Sequence, residues 1–122
     1  MLTRRQESGQ RAEELAAGFL RQRGLTIVMR NYRCRVGELD IVARQGDVLV
    51  VAEVRTRADD SYGGAAASVD RRKQQRLTRA AGRLLQQRRD LAQLPVRFDV
   101  IVVQAPDAEV PEIQWIRHAF TA

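Results

Sequence analysis

The sequence predicts an α/β fold in which a mixed β-sheet is flanked by helices, in the order α-β-β-β-α-β-β. Two segments carry apolar residues at helical spacing, and five have the composition of β-strands. The first three strands follow one another as hairpins do, whereas a helix separates the third from the fourth and allows a crossover connection. The run VLVVAEV is apolar on both alternating faces, which is typical of a central strand covered on both sides.

The first predicted helix spans residues 4–23 and ends at Gly24, which suits a left-handed stop. Its apolar stripe consists of Ala12, Leu15, Ala16, Phe19 and Leu20. On a helical wheel Glu13 lies roughly 90° from the centre of that stripe, and Glu14 lies nearly opposite it. Glu14 is therefore expected to be solvated. Glu13 either reaches a site at the edge of the sheet or is an ordinary helix-flank acid.

Three strands follow the first helix, at residues 25–34, 35–45 and 46–57. They are rich in β-branched and other apolar residues, and turn residues separate them. The second and third are predicted to form an antiparallel hairpin around Gly46, because the segment ARQGD between them has turn chemistry. Residues 59–68, DDSYGGAAAS, show no apolar periodicity and predict a loop.

A second helix and two further strands complete the order. Ser68 is the predicted N-cap of the helix, which runs to about Arg89. Pro95 marks the next boundary, because proline cannot continue a helix. The segments at 96–104 and 112–120 then have strong strand composition, and a turn containing proline and acidic residues separates them.

Two acids lie in the hairpin where a buried strand normally has apolar residues. Side chains two apart share a face of a strand, so Glu53 and Arg55 are predicted to point to one side. On the preceding strand, Asp40 is predicted to share a face with Glu38 and Val42, and Leu39, Ile41 and Ala43 to take the other face. Asp40 and Glu53 are each about six residues from the turn, which makes them cross-strand neighbours with Cβ atoms about 4.5–5.5 Å apart.

Two half-buried carboxylates this close repel each other and raise one pKa unless a cation lies between them. A hard divalent ion with oxygen ligands, Mg²⁺ or Mn²⁺, is one such cation. Arg55 is the other, if it alone neutralises the acids as a buried ion pair. The spacing of the residues leaves both alternatives open.

The second helix carries a lysine on its apolar side. Its inward stripe is predicted to consist of Val69, Leu77, Ala80, Ala81 and Leu84, and Lys73 falls on the same stripe. An inward lysine is costly without an anionic partner, so Lys73 either meets the acids of the sheet or extends through the first turn to solvent. The other side of the helix is basic. It either binds the phosphate backbone of a nucleic acid or is simply exposed to solvent.

Composition and charge narrow the classes of function. The 122 residues suit one domain, and the net charge of +6 is typical of nucleic-acid binders. Lys73 is the only lysine among 21 basic residues, which indicates a chain-wide preference for arginine. No apolar run is long enough to span a membrane, and no signal peptide is expected. The single Cys34 fits a reducing cytosol, so a cytoplasmic protein is expected.

An ordered set of motifs resembles a known family. The set consists of G-x-x-A-E-x-x-A at 9–16, GELDIVA at 37–43, AEVRTR at 52–57, Lys73, RFDV at 97–100 and HAF at 118–120. Together these motifs resemble the YraN family of bacterial proteins, which is similar to the Holliday-junction resolvases of the PD-(D/E)xK nuclease superfamily. The resemblance covers nearly the whole chain and implies a restriction-endonuclease-like core in a single domain, residues 1–122.

Matching the motifs by position implies a metal site. Asp40 matches the first acid of the superfamily motif, Glu53 the second and Glu13 a helical glutamate. The resemblance further implies that Asp40, Glu53 and the backbone carbonyl of Val54 hold Mg²⁺ or Mn²⁺. The ion would then support hydrolysis of a phosphodiester bond.

The chain departs from the family at Arg55, where lysine is usual. Arginine keeps the positive charge but cannot serve as a base, because a guanidinium group does not give up its proton readily. Some superfamily members carry their lysine on a neighbouring element. Lys73 is therefore expected to take over part of that role from the second helix.

The main expectation is a divalent-metal-dependent endonuclease that acts on DNA rather than RNA, with branched or damaged DNA as candidate substrates. The catalytic candidates are Glu13, Asp40, Glu53, Arg55 and Lys73, and the nucleic-acid-binding candidates are Arg57, Arg71, Arg72, Arg76 and Arg79. Two alternatives remain, a nucleic-acid-binding accessory protein with little or no cleavage and a protein-interaction partner in DNA processing. A homodimer is a further expectation from the resemblance, because junction resolvases cut two strands symmetrically.

Overall fold

The computed structural model describes residues 1–57 and 69–121, in which the elements follow the predicted order. They are α1 (Arg4–Gln22), β1 (Thr26–Cys34), β2 (Gly37–Gln45), β3 (Val48–Arg57), α2 (Arg71–Gln87), β4 (Val96–Gln104) and β5 (Glu112–Phe120). Within this part of the chain, neither helix combines the length and the apolar character needed to cross a membrane.

The five strands form one mixed sheet in the order β1-β2-β3-β4-β5, so the α/β fold predicted from the sequence is confirmed. β3 and β4 pair in parallel and the other neighbours are antiparallel. Short turns suffice for the antiparallel pairs, whereas the parallel pair needs the crossover that contains α2. β3 is the central strand, and its residues 49–52 are almost completely inaccessible to solvent, as their apolar run predicted.

The two helices cover opposite faces of the sheet. On one face α1 packs three alanines and a leucine against β2, β3 and β4. The helix residues are Ala12, Ala16, Ala17 and Leu20, and the strand residues are Ile41, Ala43, Val50, Ala52, Ile101 and Val103. On the other face α2 packs through Leu77, Ala80, Ala81, Leu84, Leu39, Val42, Leu49, Val51 and Phe98. A group at the end of β3 therefore lies between two apolar layers, where burial disfavours charge.

The ends of α1 agree with the prediction. Thr3 caps its N-terminus, because the Thr3 hydroxyl accepts a hydrogen bond from the backbone N–H of Gln6 at 3.1 Å. In return, the backbone N–H of Thr3 donates to the side-chain carbonyl of Gln6 at 2.9 Å. Gly24 follows the helix with φ +89°, a conformation that favours glycine and confirms the predicted stop.

The prediction of Ser68 as the N-cap of α2 is wrong, because Asp70 caps this helix. The Asp70 carboxylate accepts a hydrogen bond from the backbone N–H of Lys73 at 2.8 Å. A charged acceptor also interacts favourably with the positive end of the helix, which favours Asp70 over an earlier serine. The helix ends at Gln87 rather than near Arg89. The loop predicted at 59–68, including Ser68, lies outside the described residues.

The predicted alternation of faces along β2 fails at Leu39. Ile41 and Ala43 share the face covered by α1, but Leu39, which was predicted to share that face with them, packs on the α2 side. On the neighbouring β1 strand, Arg30 pairs with Ile41 and Tyr32 pairs with Leu39, and Asn31 between them has φ +54°. This left-handed residue interrupts the regular pleat, so the side chain of Asp40 does not follow the face predicted from a regular strand.

Candidate functional site

Asp40 and Glu53 meet where the hairpin of β2 and β3 stops pairing. The last paired residues are Ile41 and Ala52, and the next pair in the same register would be Asp40 with Glu53. A carboxylate oxygen of Asp40 instead accepts a hydrogen bond from the backbone N–H of Val54 at 2.9 Å. The side chain of Asp40 thus takes the place of a backbone acceptor, and the two acids are neighbours as the hairpin register predicted.

The same geometry brings a backbone carbonyl towards the gap between the strands. In a β-strand, the N–H and C=O of one residue point towards the same neighbouring strand. Because the N–H of Val54 points at Asp40, its carbonyl also points towards β2. Two carboxylates and one carbonyl therefore surround the end of the ladder, and oxygen donors of these kinds suit a hard divalent cation.

Glu53 is buried, with only 5% of its surface exposed. The ammonium nitrogen of Lys73 lies 3.1 Å from Oε2 of Glu53 and forms an ion pair with it. Oε2 is buried, and among the described residues the ammonium of Lys73 is the cation that faces it. A buried carboxylate oxygen in this state gains most from a cation that approaches it directly.

The two acids have opposite pKa shifts. Burial, followed by the hydrogen bond and the charge of Glu53, raises the pKa of Asp40 to about 8. Burial alone would also raise the pKa of Glu53, but its hydrogen bond with Asp40 and the positive charges of Lys73 and Arg55 outweigh burial and lower it. At neutral pH the pair therefore holds one proton, mainly on Asp40.

Lys73 meets the acids rather than extending to solvent. It lies in the first turn of α2, and about one third of its side chain is exposed. Arg55 lowers the pKa of Glu53 by its charge, but Lys73 makes the direct ion pair. The alternative in which Arg55 alone neutralises the acids is therefore wrong, because the lysine of α2 is closer to Glu53.

Glu13 lines a cavity of about 560 Å³ together with Glu38, Asp40 and Val54. Burial raises the pKa of Glu13, and the charge of Arg30 partly opposes that effect. Within residues 1–57 and 69–121, no three acidic, histidine or cysteine side chains lie close enough together to hold a metal ion. Glu13 thus faces the same space as Asp40 without joining the Asp40–Glu53 pair.

The helical wheel distinguished the two glutamates of α1 correctly. Glu13 is half-buried against the cavity, whereas Glu14 is exposed and forms an ion pair with Arg30. The hydrogen bond that Arg30 donates to Glu14, together with the positive charge of Arg30, lowers the pKa of Glu14. Successive residues of an α-helix are rotated by about 100° about its axis, so Glu13 faces the cavity while Glu14 next to it faces solvent.

The basic candidates do not form one cluster. Arg71, Arg72, Arg76 and Arg79 are exposed on α2, and Arg57 is half-buried at the end of β3. Of these five, Arg76 faces a second cavity, which Arg33 and Arg35 also line. Arg33 and Arg35 were not predicted from the sequence as residues of this cavity. Their position just before GELDIVA, the segment that contains Asp40, could have pointed to them.

Asp99 on β4 is a second buried acid that sequence reasoning did not single out as a site residue, and only 1% of its surface is exposed. Arg97 donates two hydrogen bonds of 2.9 Å to it. The indole N–H of Trp115 and the backbone N–H of His118 donate two more, at 2.8 and 3.0 Å. Asp99 binds β5 where its register on β4 shifts, so its role is structural.

Comparison with known proteins relates the chain to one family. The model of the uncharacterised protein family UPF0102 matches residues 12–103. A UPF0102 protein of Pseudomonas aeruginosa PAO1 is 45% identical over 117 residues, which are 95% of this chain and 94% of the relative. A UPF0102 protein of Alkalilimnicola ehrlichii is 47% identical over 95% of this chain and 88% of the relative. A UPF0102 protein of Legionella pneumophila Philadelphia 1 is 40% identical over 96% of this chain and 97% of the relative.

Proposed function

The chain belongs to the UPF0102 (YraN) family, and from its site geometry we propose that it is a divalent-metal-dependent endonuclease that hydrolyses phosphodiester bonds of DNA. Branched or damaged DNA is the proposed substrate class. One observation carries the proposal. Asp40, Glu53 and the backbone of Val54 meet where the strands stop pairing, and Oε2 of Glu53 is buried there against the ammonium of Lys73.

The oxygen donors fit Mg²⁺ or Mn²⁺. Asp40, Glu53 and the carbonyl of Val54 would hold the ion, which in proteins is commonly bound by one or two carboxylates together with waters and substrate phosphates. When bound, the ion would supply charge to the scissile phosphate and lower the pKa of a coordinated water. The proton on Asp40 must leave before both carboxylates can bind a cation.

The cationic side chains have separate roles in this proposal. Lys73 helps to keep Glu53 ionised and holds a positive charge 3.1 Å from it. The guanidinium group of Arg55 would stabilise negative charge that develops on the phosphate, but an arginine is not suited to act as a base. Glu13 faces the cavity beside Asp40, where it can orient water by hydrogen bonding.

A second candidate is a DNA-binding protein that retains the site without efficient cleavage. The ion pair between Lys73 and Glu53 favours it, because a resident cation already neutralises the acid that a metal would bind. Binding to DNA would then weaken steeply with salt and would need no divalent ion. The two candidates therefore differ in their response to metal rather than in their affinity for DNA.

The test is a cleavage assay on supercoiled, single-stranded and four-way-junction DNA with Mg²⁺, Mn²⁺ or a chelator. We expect metal-dependent cleavage by the wild type and none by Asp40→Asn, which keeps the shape of the side chain and removes its charge. Asp47→Asn is the matched control, because Asp47 is 97% exposed at the β2–β3 turn. Cleavage that persists in Asp40→Asn would reject the assignment. Metal-independent DNA binding without any cleavage would establish the second candidate.

A further inference from the structure

A second cavity, of about 470 Å³, lies between α2 and the turn that joins β1 to β2. Its basic lining comes from two directions, with Arg33 and Arg35 beside the turn and Lys73 and Arg76 on α2. Glu38 is the acid that lines it. Cations that converge across a concave space from separate elements are suited to an anion.

Two of these cations are without a neutralising partner. Lys73 is paired with Glu53, and Arg33 lies 3.8 Å from Glu38. In the described ranges 1–57 and 69–121, the side chains of Arg35 and Arg76 take part in no hydrogen bond or ion pair. Two arginines on facing walls therefore leave the cavity with an uncompensated positive charge. The planar guanidinium group suits phosphate oxygens, to which it can donate two parallel hydrogen bonds.

A close backbone contact sets the width of the cavity. A Cβ atom added to Gly37 would lie 3.1 Å from the backbone carbonyl oxygen of Arg76. The start of β2 and α2 thus approach each other closely, so a side chain at position 37 would be crowded against the main chain of α2. The backbone positions that carry the arginines of the turn and Arg76 are therefore held near each other by the packing of α2 on β2.

The second cavity adjoins the acid pair. Arg33 and Glu38 line both this cavity and the one that contains Asp40, and Lys73 connects it to Glu53. We infer that Arg35 and Arg76 bind a backbone phosphate of the nucleic-acid strand next to the phosphate held at Asp40 and Glu53. This inference rests on the proposed function, because it places one strand across both cavities.

Cys34 makes occupancy of this cavity measurable. It is the only cysteine of the chain, it lines the same cavity, and it is half-buried. The experiment compares the rate of Cys34 alkylation by a thiol reagent with and without a short single-stranded oligodeoxynucleotide, in the presence of a chelator. A methylphosphonate oligonucleotide of the same sequence has a neutral backbone and serves as the ligand control.

The variants are Arg35→Gln with Arg76→Gln, and Arg5→Gln with Arg21→Gln as a matched loss of two charges at exposed positions of α1. We expect the oligodeoxynucleotide to slow alkylation several-fold in the wild type and in the α1 double variant, but not in the cavity double variant. The neutral oligonucleotide should not protect Cys34 in any of them. The slope of log affinity against log salt should also fall in magnitude by roughly 0.7 in the cavity double variant, since the contacts to one phosphate of a single strand are lost.

Each outcome separates this inference from the proposed function. Metal-dependent cleavage without protection of Cys34 would overturn the phosphate site and leave the nuclease in place. Protection that requires Arg35 and Arg76 without any cleavage would support the phosphate site and reject the nuclease. Equal protection in the double variant, or by the neutral oligonucleotide, would overturn the inference, because neither depends on the phosphate contacts.

Discussion

Two buried acids on adjacent strands have opposite surroundings. Asp99 on β4 accepts hydrogen bonds from Arg97, Trp115 and the backbone of His118. Glu53 on β3 has one ion pair, and one of its oxygens is buried without a hydrogen bond. Burial alone therefore does not identify a functional acid. The difference lies in whether the protein itself satisfies the carboxylate.

The positions of the two acids explain the difference. Asp99 lies inside continuous β3–β4 pairing, with β5 and its own neighbour Arg97 supplying donors from the same region of the sheet. Glu53 lies where β2 stops pairing with β3, so the nearest groups include a second carboxylate. A proton on Asp40 and the charge of Lys73 compensate for it, and the proton on Asp40 is lost as the pH rises through its pKa of about 8.

The largest expected effect is on stability, at the satisfied acid. Asp99→Asn leaves the largely buried Arg97 without its charged partner, so the free energy of unfolding should fall by about 3–5 kcal/mol. Chemical denaturation measures this change. A loss below about 1 kcal/mol would mean that the Asp99 network is no more important than an ordinary surface pair.

At Glu53 the effect should appear in activity instead. Glu53→Gln removes the charge that we propose binds the metal and should lower cleavage by about 100- to 1,000-fold. The free energy of unfolding without metal should change less than in Asp99→Asn, because glutamine keeps an acceptor for the protonated Asp40 and the partly exposed Lys73 can turn to solvent. Cleavage rates and chemical denaturation, measured on the same preparation, test the expected loss of activity and the expected smaller change in stability. A strong loss of stability with unchanged cleavage would reverse the roles assigned to the two acids.

Removing the resident cation should have a smaller effect. Lys73→Ala takes away the charge 3.1 Å from Glu53, so we expect cleavage at saturating metal to fall by roughly tenfold to 100-fold. Arg72→Ala is the matched control, because Arg72 is exposed on the same turn and is a candidate only for DNA binding. Arg72→Ala should raise the DNA concentration at which cleavage is half-maximal without changing the maximal rate of cleavage. Unchanged cleavage in Lys73→Ala would exclude a catalytic role for this lysine.

The shared proton predicts how stability depends on pH. The pKa of Asp40 is raised from 3.8 to about 8, so the folded metal-free protein binds more protons than the unfolded chain between these values. This contribution to stability is fully present below the unfolded pKa and is lost as the pH rises through about 8. Between pH about 6 and about 8 the wild type should therefore lose up to about 1.4 kcal/mol per pH unit relative to Asp40→Asn, and the loss should level off above pH about 8.

Metal should reverse that trend, because a cation binds the deprotonated pair. Added Mg²⁺ or Mn²⁺ should raise the melting temperature more at pH about 9 than at pH about 6. The lowered pKa of Glu53 does not interfere in this range, since its effect on stability is lost only as the pH falls towards acidic values. Identical pH profiles for the wild type and Asp40→Asn would show that the two acids do not share a proton.

The smallest expected effect is at Arg55. Arg55→Lys keeps the positive charge near Glu53 and restores the residue usual in the resembled superfamily motif, so cleavage should be retained or should rise by less than about tenfold. A fall in cleavage would mean that the planar guanidinium group itself is required. Metal-dependent cleavage kinetics distinguish the two results, with Asp47→Asn again as the control for handling of the protein.

The sequence predicted the features that depend on local periodicity. The order of elements, the central position of β3 and the burial of Glu13 rather than Glu14 all follow from spacings of two or 3.6 residues. The meeting of Asp40 with Glu53 follows from counting residues on either side of one short turn. A hairpin register needs no knowledge of the rest of the fold.

Only the tertiary structure decided what surrounds those acids. The contact between Lys73 and Glu53, the hydrogen bonds from Trp115 and His118 to Asp99, and the convergence of Arg35 with Arg76 join residues that lie far apart in the chain. Such contacts depend on where a helix packs on the sheet, and periodicity defines the buried face of an element but not its neighbour. The sequence thus determined that two acids would meet, and packing determined which cations lie beside them.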